Sequence, residues 1–353
     1  MRRFLLLFCA LGCLLPAALA APKLEEGDIN GALYAIARPD HWNGRLLLLA
    51  HGHRPEGQPL HAKLYEDTPP VRTWVEQGWM VAISSYRRNG LILREAIADL
   101  EALREHITQR HGTPARIYLM GESMGGAIVT LIAEHFSDHY AGAVAIGAAL
   151  DVREPAPTIG LVMQPQMPLL FLTNQSEIAG PSGYVQATQR ADKPPVLWRI
   201  ARDGHVNVNS AEKIAALAAL VNRVENGADL PADFDATIAP PPRPSRMTLN
   251  NDGSGTGRVT DVHPVYGNLT LDLQPDDLRR LSIEPNVWFG LVVGERLIRV
   301  FHGAAFGSVK RGEWVAFPDA EGWLAVAINR GHAAADAKLA PGDAVTVRRL
   351  RSE

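Results

Sequence analysis

Ser123 stands in Gly121-Glu122-Ser123-Met124-Gly125-Gly126, directly after the apolar run Arg116-Ile117-Tyr118-Leu119-Met120 and before the helix-compatible segment Ala127 to Phe136. A strand entering Gly-x-Ser-x-Gly and a helix leaving it place a serine at the apex of a sharp turn, with Oγ open to a base and to a substrate carbonyl. Such a turn strains the serine backbone and brings strand and helix too close for Cβ atoms, which is why glycines flank it. A serine hydroxyl is a poor nucleophile at neutral pH and needs a base to take its proton. In this arrangement the partners follow in chain order serine, acid, histidine. His205, in Arg202-Asp203-Gly204-His205-Val206-Asn207, lies between the apolar run Val196 to Ile200 and the helical stretch Ala211 to Val224. Glu177 is the only carboxylate just after the run Pro168 to Thr173, and is the candidate acid that fixes the histidine tautomer. Asp151, after the run Gly142 to Ile146, is the alternative acid. The tetrahedral oxyanion needs preformed backbone donors. The N–H of Met124 follows the nucleophile, and His51-Gly52-His53, just past the run Leu46 to Ala50, offers the N–H of His53.

Other chemistry-bearing residues carry less. Arg87 and Arg88, in Tyr86-Arg87-Arg88-Asn89-Gly90, follow the run Trp79 to Ser84 and could bind a substrate carboxylate or form a solvated charge pair. His51 and His53 have no third ligand at a zinc-like spacing, and no metal is expected. His135 and His139 sit four apart, but Glu134 is not placed as in His-Glu-x-x-His, so they read as solvated, and Asp99 reads as structural.

The elements that must position these groups alternate from about residue 30 to 225. Val71 to Gln77 reads as a helix, and Leu91 to Arg110 has the apolar spacing of an amphipathic one (Leu93, Ile97, Leu100, Leu103, Ile107). Strands alternating with helices predict an α/β fold, a parallel sheet covered on both faces, with ligands beyond the carboxyl ends of the strands. The segment from Ile146 to Pro168 is too short for a lid domain, which predicts an open, shallow site. The expected units are an α/β domain over 21–226, a Pro-rich linker over 227–246 and a small all-β domain over 247–353. The last is read from short alternating runs at Leu269 to Leu273, Trp288 to Val293, Leu297 to Phe301, Trp323 to Ile328 and Ala344 to Arg348.

Composition narrows the partners. The chain has 353 residues and a formal net charge of −3, with no basic surplus for nucleic acid. Arg2-Arg3, the apolar stretch Phe4 to Leu15 and Ala18-Leu19-Ala20 read as a signal peptide over 1–20, cut at Ala20-Ala21, and predict an exported protein, periplasmic or secreted. The apolar stretch is too short for a membrane span, so no transmembrane segment is expected in the mature chain. Both cysteines, Cys9 and Cys13, lie within it; a lipoprotein modified at Cys13 fits less well, because Leu11 suits that motif poorly.

Trp42-Asn43-Gly44-Arg45-Leu46, Ala50-His51-Gly52, Gly121 to Gly126 and Asp203-Gly204-His205 together resemble the α/β-hydrolase superfamily, nearest its secreted serine esterases and peptidase-like hydrolases. The resemblance spans roughly 25–225 and implies that fold without a large lid, and a serine mechanism with no cofactor. Further on, Tyr266-Gly267-Asn268-Leu269-Thr270, Val309-Lys310-Arg311-Gly312-Glu313, Ala327 to Ala334 and Pro341 to Val345 resemble the C-terminal β-domain of the S-adenosylmethionine hydrolases and halogenases. That domain implies part of an adenosyl pocket and a homo-oligomer, a trimer in that family. Here its Asn-x-Gly-Asn-Ala stands as Asn329-Arg330-Gly331-His332-Ala333, and its catalytic N-terminal domain is replaced, so adenosylmethionine chemistry does not carry over. The expected function is hydrolysis of a small-molecule ester through Ser123, His205 and Glu177. A peptidase or amidase acting on a peptide-like substrate, and a non-catalytic binding module on the same scaffold, are the alternatives.

Overall fold

The computed structural model describes residues 22–66, 68–153 and 159–350. The expected signal peptide, its cleavage site and Cys13 lie outside these residues. Among the described residues no helix is long and apolar enough to cross a membrane.

The N-terminal part is built on nine strands: β1 (Lys23–Ile29), β2 (Ala32–Arg38), β3 (Arg45–Ala50), β4 (Met80–Ser84), β5 (Arg116–Glu122), β6 (Gly142–Ile146), β7 (Leu169–Asn174), β8 (Val196–Ile200) and β9 (Phe234–Asp235). Their order across the sheet is β1-β2-β4-β3-β5-β6-β7-β8-β9. From β4 to β9 every pairing is parallel. Helices α1 (Val71–Glu76), α2 (Leu93–His111), α3 (Met124–His135), α4 (Ala179–Ala187) and α5 (Ser210–Asn226) connect the strands. Leu100, Leu103, Ile128 and Ile132 of α2 and α3 pack on one face, and Trp74, Ala216, Leu217 and Leu220 of α1 and α5 on the other. All of these are buried, and each large one contributes about 1.5–3 kcal/mol over its exposed state. Burial on both faces is why β6 and β7 are apolar without alternation.

The sheet departs from an all-parallel one at its start. β1 and β2 form an antiparallel hairpin, and β2 pairs antiparallel with β4. Its turn is Asn30-Gly31, with φ of 54° and 87°, the left-handed pair that matches strand twist in a two-residue hairpin. At the other edge, β9 falls inside the stretch expected to be linker, pairing Trp198 with Phe234 and burying Ala236. α5 starts at a reciprocal cap, in which Asn209 accepts from the Glu212 amide and Glu212 from the Asn209 amide. It ends at Gly227, in the left-handed conformation.

The C-terminal part contains β10 (Thr248–Leu249), β11 (Gly255–Val262), β12 (Leu269–Leu271), β13 (Trp288–Val293), β14 (Arg296–His302), β15 (Trp314–Pro318), β16 (Leu324–Ile328) and β17 (Ala344–Arg349). Their order is β10-β11-β12-β16-β15-β14-β13-β17, and β17 also pairs with β11, so the sheet closes into a barrel around Leu271, Phe289, Leu291, Val300 and Val326. Two short helices, α6 (Pro275–Arg280) and α7 (Ala333–Ala337), depart from the all-β expectation.

The segment between the two parts is held down. Ile238 N–H donates to Glu212 Oε1 at 3.0 Å, and Arg243 donates to the Glu321 carbonyl at 2.7 Å with its guanidinium 4.8 Å above the Trp323 ring.

The tightest approach in the hydrolase sheet lies where α3 crosses β3: a Cβ on Gly125 would stand 1.9 Å from the Ala50 carbonyl oxygen. Gly125→Ala is therefore expected to destabilise the protein by about 3 kcal/mol or more. Gly180→Ala, in α4 with open space around its Cβ position, is expected to gain up to about 1 kcal/mol. Thermal denaturation of the two variants checks this; equal melting temperatures would contradict the close approach.

Candidate active site

Ser123 sits between β5 and α3 with φ 58° and ψ −117°, a strained left-handed conformation held by its surroundings. Three glycines make the turn sterically feasible. A Cβ on Gly121 would lie 2.1 Å from the Gly125 carbonyl oxygen, and one on Gly126 would lie 2.8 Å from Ala148 Cα. Gly125 meets Ala50, as above. The serine N–H is anchored to the Ile146 carbonyl at 2.9 Å.

The histidine arrives from the loop between β8 and α5. His205 Nε2 lies 2.7 Å from Ser123 Oγ, and His205 Nδ1 is hydrogen-bonded to Glu177 Oε2. The second Glu177 oxygen accepts the Val206 amide at 3.0 Å, which aims the carboxylate. Of the two candidate acids, Glu177 is the one hydrogen-bonded to His205, while Asp151 is exposed and has no hydrogen bond to the histidine among the described residues. The hydrogen bond to Glu177 raises the His205 pKa above its ordinary value; burial opposes the rise, and the charges of Glu177 and Glu122 add to it. With Nδ1–H given to Glu177, Nε2 faces the serine as the acceptor.

Sequence reasoning did not find what holds these two loops together. Buried Asn174 donates to the carbonyls of Arg202 (3.1 Å) and Asn207 (3.0 Å) and accepts the Asn207 amide (2.8 Å). Gln175 donates to Asp203 at 3.0 Å, and Ser176 exchanges hydrogen bonds with Gly204 at 3.0 and 2.9 Å. Four successive residues therefore grip the histidine loop. Their one sequence signal is position, directly after the strand that precedes the acid.

The two amides expected as oxyanion donors lie at the Ser123 turn and on the loop beside it. Met124 opens α3, where unpaired amides and the helix dipole favour negative charge. Gly52 passes close over the serine: a Cβ there would be 3.1 Å from Ser123 Cβ, which puts the His53 amide on the loop beside the nucleophile. Neither amide has a hydrogen-bond partner among the described residues. His51 stacks on Tyr86 with centroids 4.0 Å apart, and both its ring nitrogens face carbonyl oxygens, of Gly52 and Ser85. Burial, with Arg54 nearby, lowers its pKa to about 3, so the ring is neutral and donates to one of the two. It braces the loop rather than offering a metal ligand.

Arg87 and Arg88 are not free for a substrate. Arg87 is paired with buried Asp99, its Nε at 2.9 Å, and Arg88 with Glu95 at 2.6 Å. Asp99 also accepts the Arg87 amide at 2.8 Å, which pins the loop after β4 to α2. Glu122, beside the nucleophile, is paired with Lys213 at 2.6 Å. The β-domain also reaches the site. Tyr266 donates to the His53 carbonyl, and Glu321 accepts from the Ser210 amide and hydroxyl at 2.8 and 2.7 Å, behind the histidine loop. His332, at the substituted asparagine position, caps α7 by accepting the Ala335 amide at 3.1 Å.

Residues 92–228 match the family model described as serine aminopeptidase, S33, and residues 257–346 the model described as SAM hydroxide adenosyltransferase C-terminal domain. Both resemblances read from the sequence are thereby borne out, and the N-terminal fold is that of an α/β hydrolase. No curated protein matches the chain. Similar solved structures include an uncharacterized conserved protein from Thermotoga maritima (23% identity, 37% of this chain and 49% of that one, TM-score 0.28). Others are an acylaminoacyl peptidase in complex with Z-Gly-Gly-Phe-chloromethyl ketone (14% identity, 61% and 43%, TM-score 0.45) and an esterase from Pyrococcus furiosus (13% identity, 61% and 96%, TM-score 0.47). The chain spans about half the length of the first of these and less than half of the second.

The Glu177–His205 contact has a direct spectroscopic consequence. In the resting protein, NMR titration of the His205 ring is expected to give a midpoint above the ordinary imidazole value of 6.5, because Glu177 favours the charged form. Glu177→Gln is expected to move that midpoint down. A midpoint at or below 6.5 in the wild type, or no shift in the variant, would contradict the pairing.

Proposed function

We propose that this chain is an exported serine hydrolase acting on carboxylic esters through a covalent acyl-enzyme. The observation that carries the reading is the relay of Ser123 Oγ, His205 and Glu177, with 2.7 Å between Oγ and Nε2. Export rests on the basic, apolar and small-residue pattern of residues 1–20.

In this mechanism His205 Nε2 takes the proton from Ser123 as Oγ attacks the carbonyl carbon, and Glu177 stabilises the imidazolium. The negative oxygen lies against the amides of Met124 and His53. Collapse passes the proton from His205 to the leaving alcohol and leaves Ser123 acylated. Water, deprotonated by the same histidine, then attacks the acyl carbon; its proton returns to Ser123 as the acid leaves.

The main rival is a serine peptidase or amidase; an aminopeptidase among these would need a free carboxylate to hold the substrate ammonium. Glu122, the carboxylate beside the nucleophile, is instead paired with Lys213, which favours an ester. A fluorophosphonate probe is expected to label the wild type and not Ser123→Ala. That substitution is expected to lower kcat on a p-nitrophenyl ester by about 10⁵-fold or more. Hydrolysis of aminoacyl anilides in preference to esters would make the protein a peptidase, and absence of labelling would make it a binding module.

A further inference from the structure

Beside the oxyanion loop lies a guanidinium without an anion. Arg54 is the residue after His53; its hydrolase neighbours are Tyr65, Tyr86 and His61, and its neighbour across the domain boundary is Tyr266. Its one side-chain hydrogen bond among the described residues runs from Nη1 to the His61 carbonyl, at 2.6 Å. None of the described carboxylates lies within ion-pair distance of it. An arginine that is part-buried and has no counter-ion is unusual, because desolvating a charge is costly unless an anion returns the lost interaction. Burial pulls its pKa down to about 10, which still leaves it charged at neutral pH. Its fork therefore has donors to spare, next to the loop that faces Ser123.

The β-domain turn that reaches this loop through Tyr266 carries a second donor. His263 opens the turn between β11 and β12, and its Nδ1 accepts the amides of Val265 and Tyr266 at 3.2 Å each. In the neutral ring the proton is then on Nε2, for which no partner exists among the described residues. The turn is braced from behind: Gly267 donates to the His263 carbonyl at 2.8 Å, and a Cβ on Gly267 would collide with the His332 ring at 2.0 Å. His263 is open to solvent, and burial is the chief cause lowering its pKa. The charged groups around it are Asp261, Arg54 and Glu122, with His61 beyond. Glu122 is neutralised by Lys213, and His61 has a buried, unpartnered Nδ1. Tyr266, bonded to the His53 carbonyl, ties the turn to the loop.

We infer that the seam between the domains is an anion subsite, in which Arg54 and the Nε2–H of His263 hold a carboxylate carried by the ester substrate. This rests on the hydrolase reading and adds its substrate class. Bidentate contact with a carboxylate is the geometry a guanidinium offers best, and a neutral ester would leave it unpaired.

The test uses the full-length protein and two rigid probe pairs that differ only in charge. One pair is 4-acetoxybenzoate and 4-acetoxybenzamide, with the carboxylate on the leaving alcohol. The other is mono-4-nitrophenyl terephthalate and 4-nitrophenyl 4-carbamoylbenzoate, with the carboxylate on the acyl group. In at least one pair kcat/KM is expected to favour the charged member by roughly tenfold or more. Arg54→Gln is expected to bring that ratio to about one, and Arg54→Lys to keep part of it. Ratios near one in both wild-type pairs, or a ratio unchanged in Arg54→Gln, would overturn the inference. A calorimetric titration of Ser123→Ala with 4-acetoxybenzoate and with terephthalate monoamide reads the subsite without turnover. Binding of a carboxylate that is lost on adding Arg54→Gln supports it, and binding of neither ligand overturns it. Failure of the wild type to take up a fluorophosphonate would sink the hydrolase reading alone, since the titration still reports on Arg54.

Discussion

The approach of α3 to β3 at the elbow is the constraint on which the site depends. Gly125 lies so near the Ala50 carbonyl, and Gly121 so near Gly125, that no other residue fits at either point. The helix can then begin immediately after the strand, and Ser123 is left in a conformation that a non-glycine residue reaches only under compulsion. The compensation is distributed: the Ser123 amide is bonded to Ile146, and the helix behind it is buried along nearly its whole length. Oγ is therefore fixed by packing, and His205 and Glu177 need only be brought to it.

They are brought by polar contacts instead. The loops after β7 and β8 carry few apolar side chains that could pack. Asn174, Gln175, Ser176 and Glu177 each bond to residues 202–207, so the acid and the base are parts of one hydrogen-bonded unit. Asn174 is fully buried, where an unpaired amide would cost about 1–3 kcal/mol, so this register is strongly preferred. The Arg202–Glu212 pair, at 2.9 Å with Glu212 buried, extends the unit into α5, whose cap shares the same glutamate. Rigid packing positions Ser123, and a polar network positions His205 and Glu177.

What could be read from the sequence follows the same division. The central strands, α2, α3 and the elbow were legible because their signals are local: apolar runs, helical spacing, and glycines at fixed offsets. His205 and Glu177 were legible because chain order and strand ends place them. The β1–β2 hairpin was missed although Asn30-Gly31 marks it, since Lys23–Ile29 is an edge strand with charged residues where alternation would show. β9 was hidden among prolines because its two residues are exposed and carry no pattern. Which of the two readings of the arginines after β4 holds was open for a different reason. Whether Arg87 is free depends on Asp99, on the helix that folds back beneath it, and no short-range pattern reports that pairing. Arg54, within the oxyanion loop itself, was passed over for the converse reason, since the lack of a partner is visible only in three dimensions.

The β-domain is where local reading fails most and where the architecture says most. Nothing in Leu269–Leu271 or Tyr266 announces contact with a loop some two hundred residues earlier. Yet the barrel touches the hydrolase on both sides of Ser123, through Tyr266 on the oxyanion loop and through Pro318 and Glu321 on the histidine loop. A domain docked only to fill space would be expected to bury an apolar patch. This one instead makes polar contacts: Tyr266 donates to the His53 carbonyl, the Asn207 side chain donates to the Pro318 carbonyl, and Glu321 accepts from Ser210 at the start of α5. The expectation of an open, shallow site came from the short segment between Ile146 and Pro168, the usual place for a cover. Residues from the far end of the chain instead contact the hydrolase fold at the loop after β3 that passes Ser123 and at the start of α5 that follows His205.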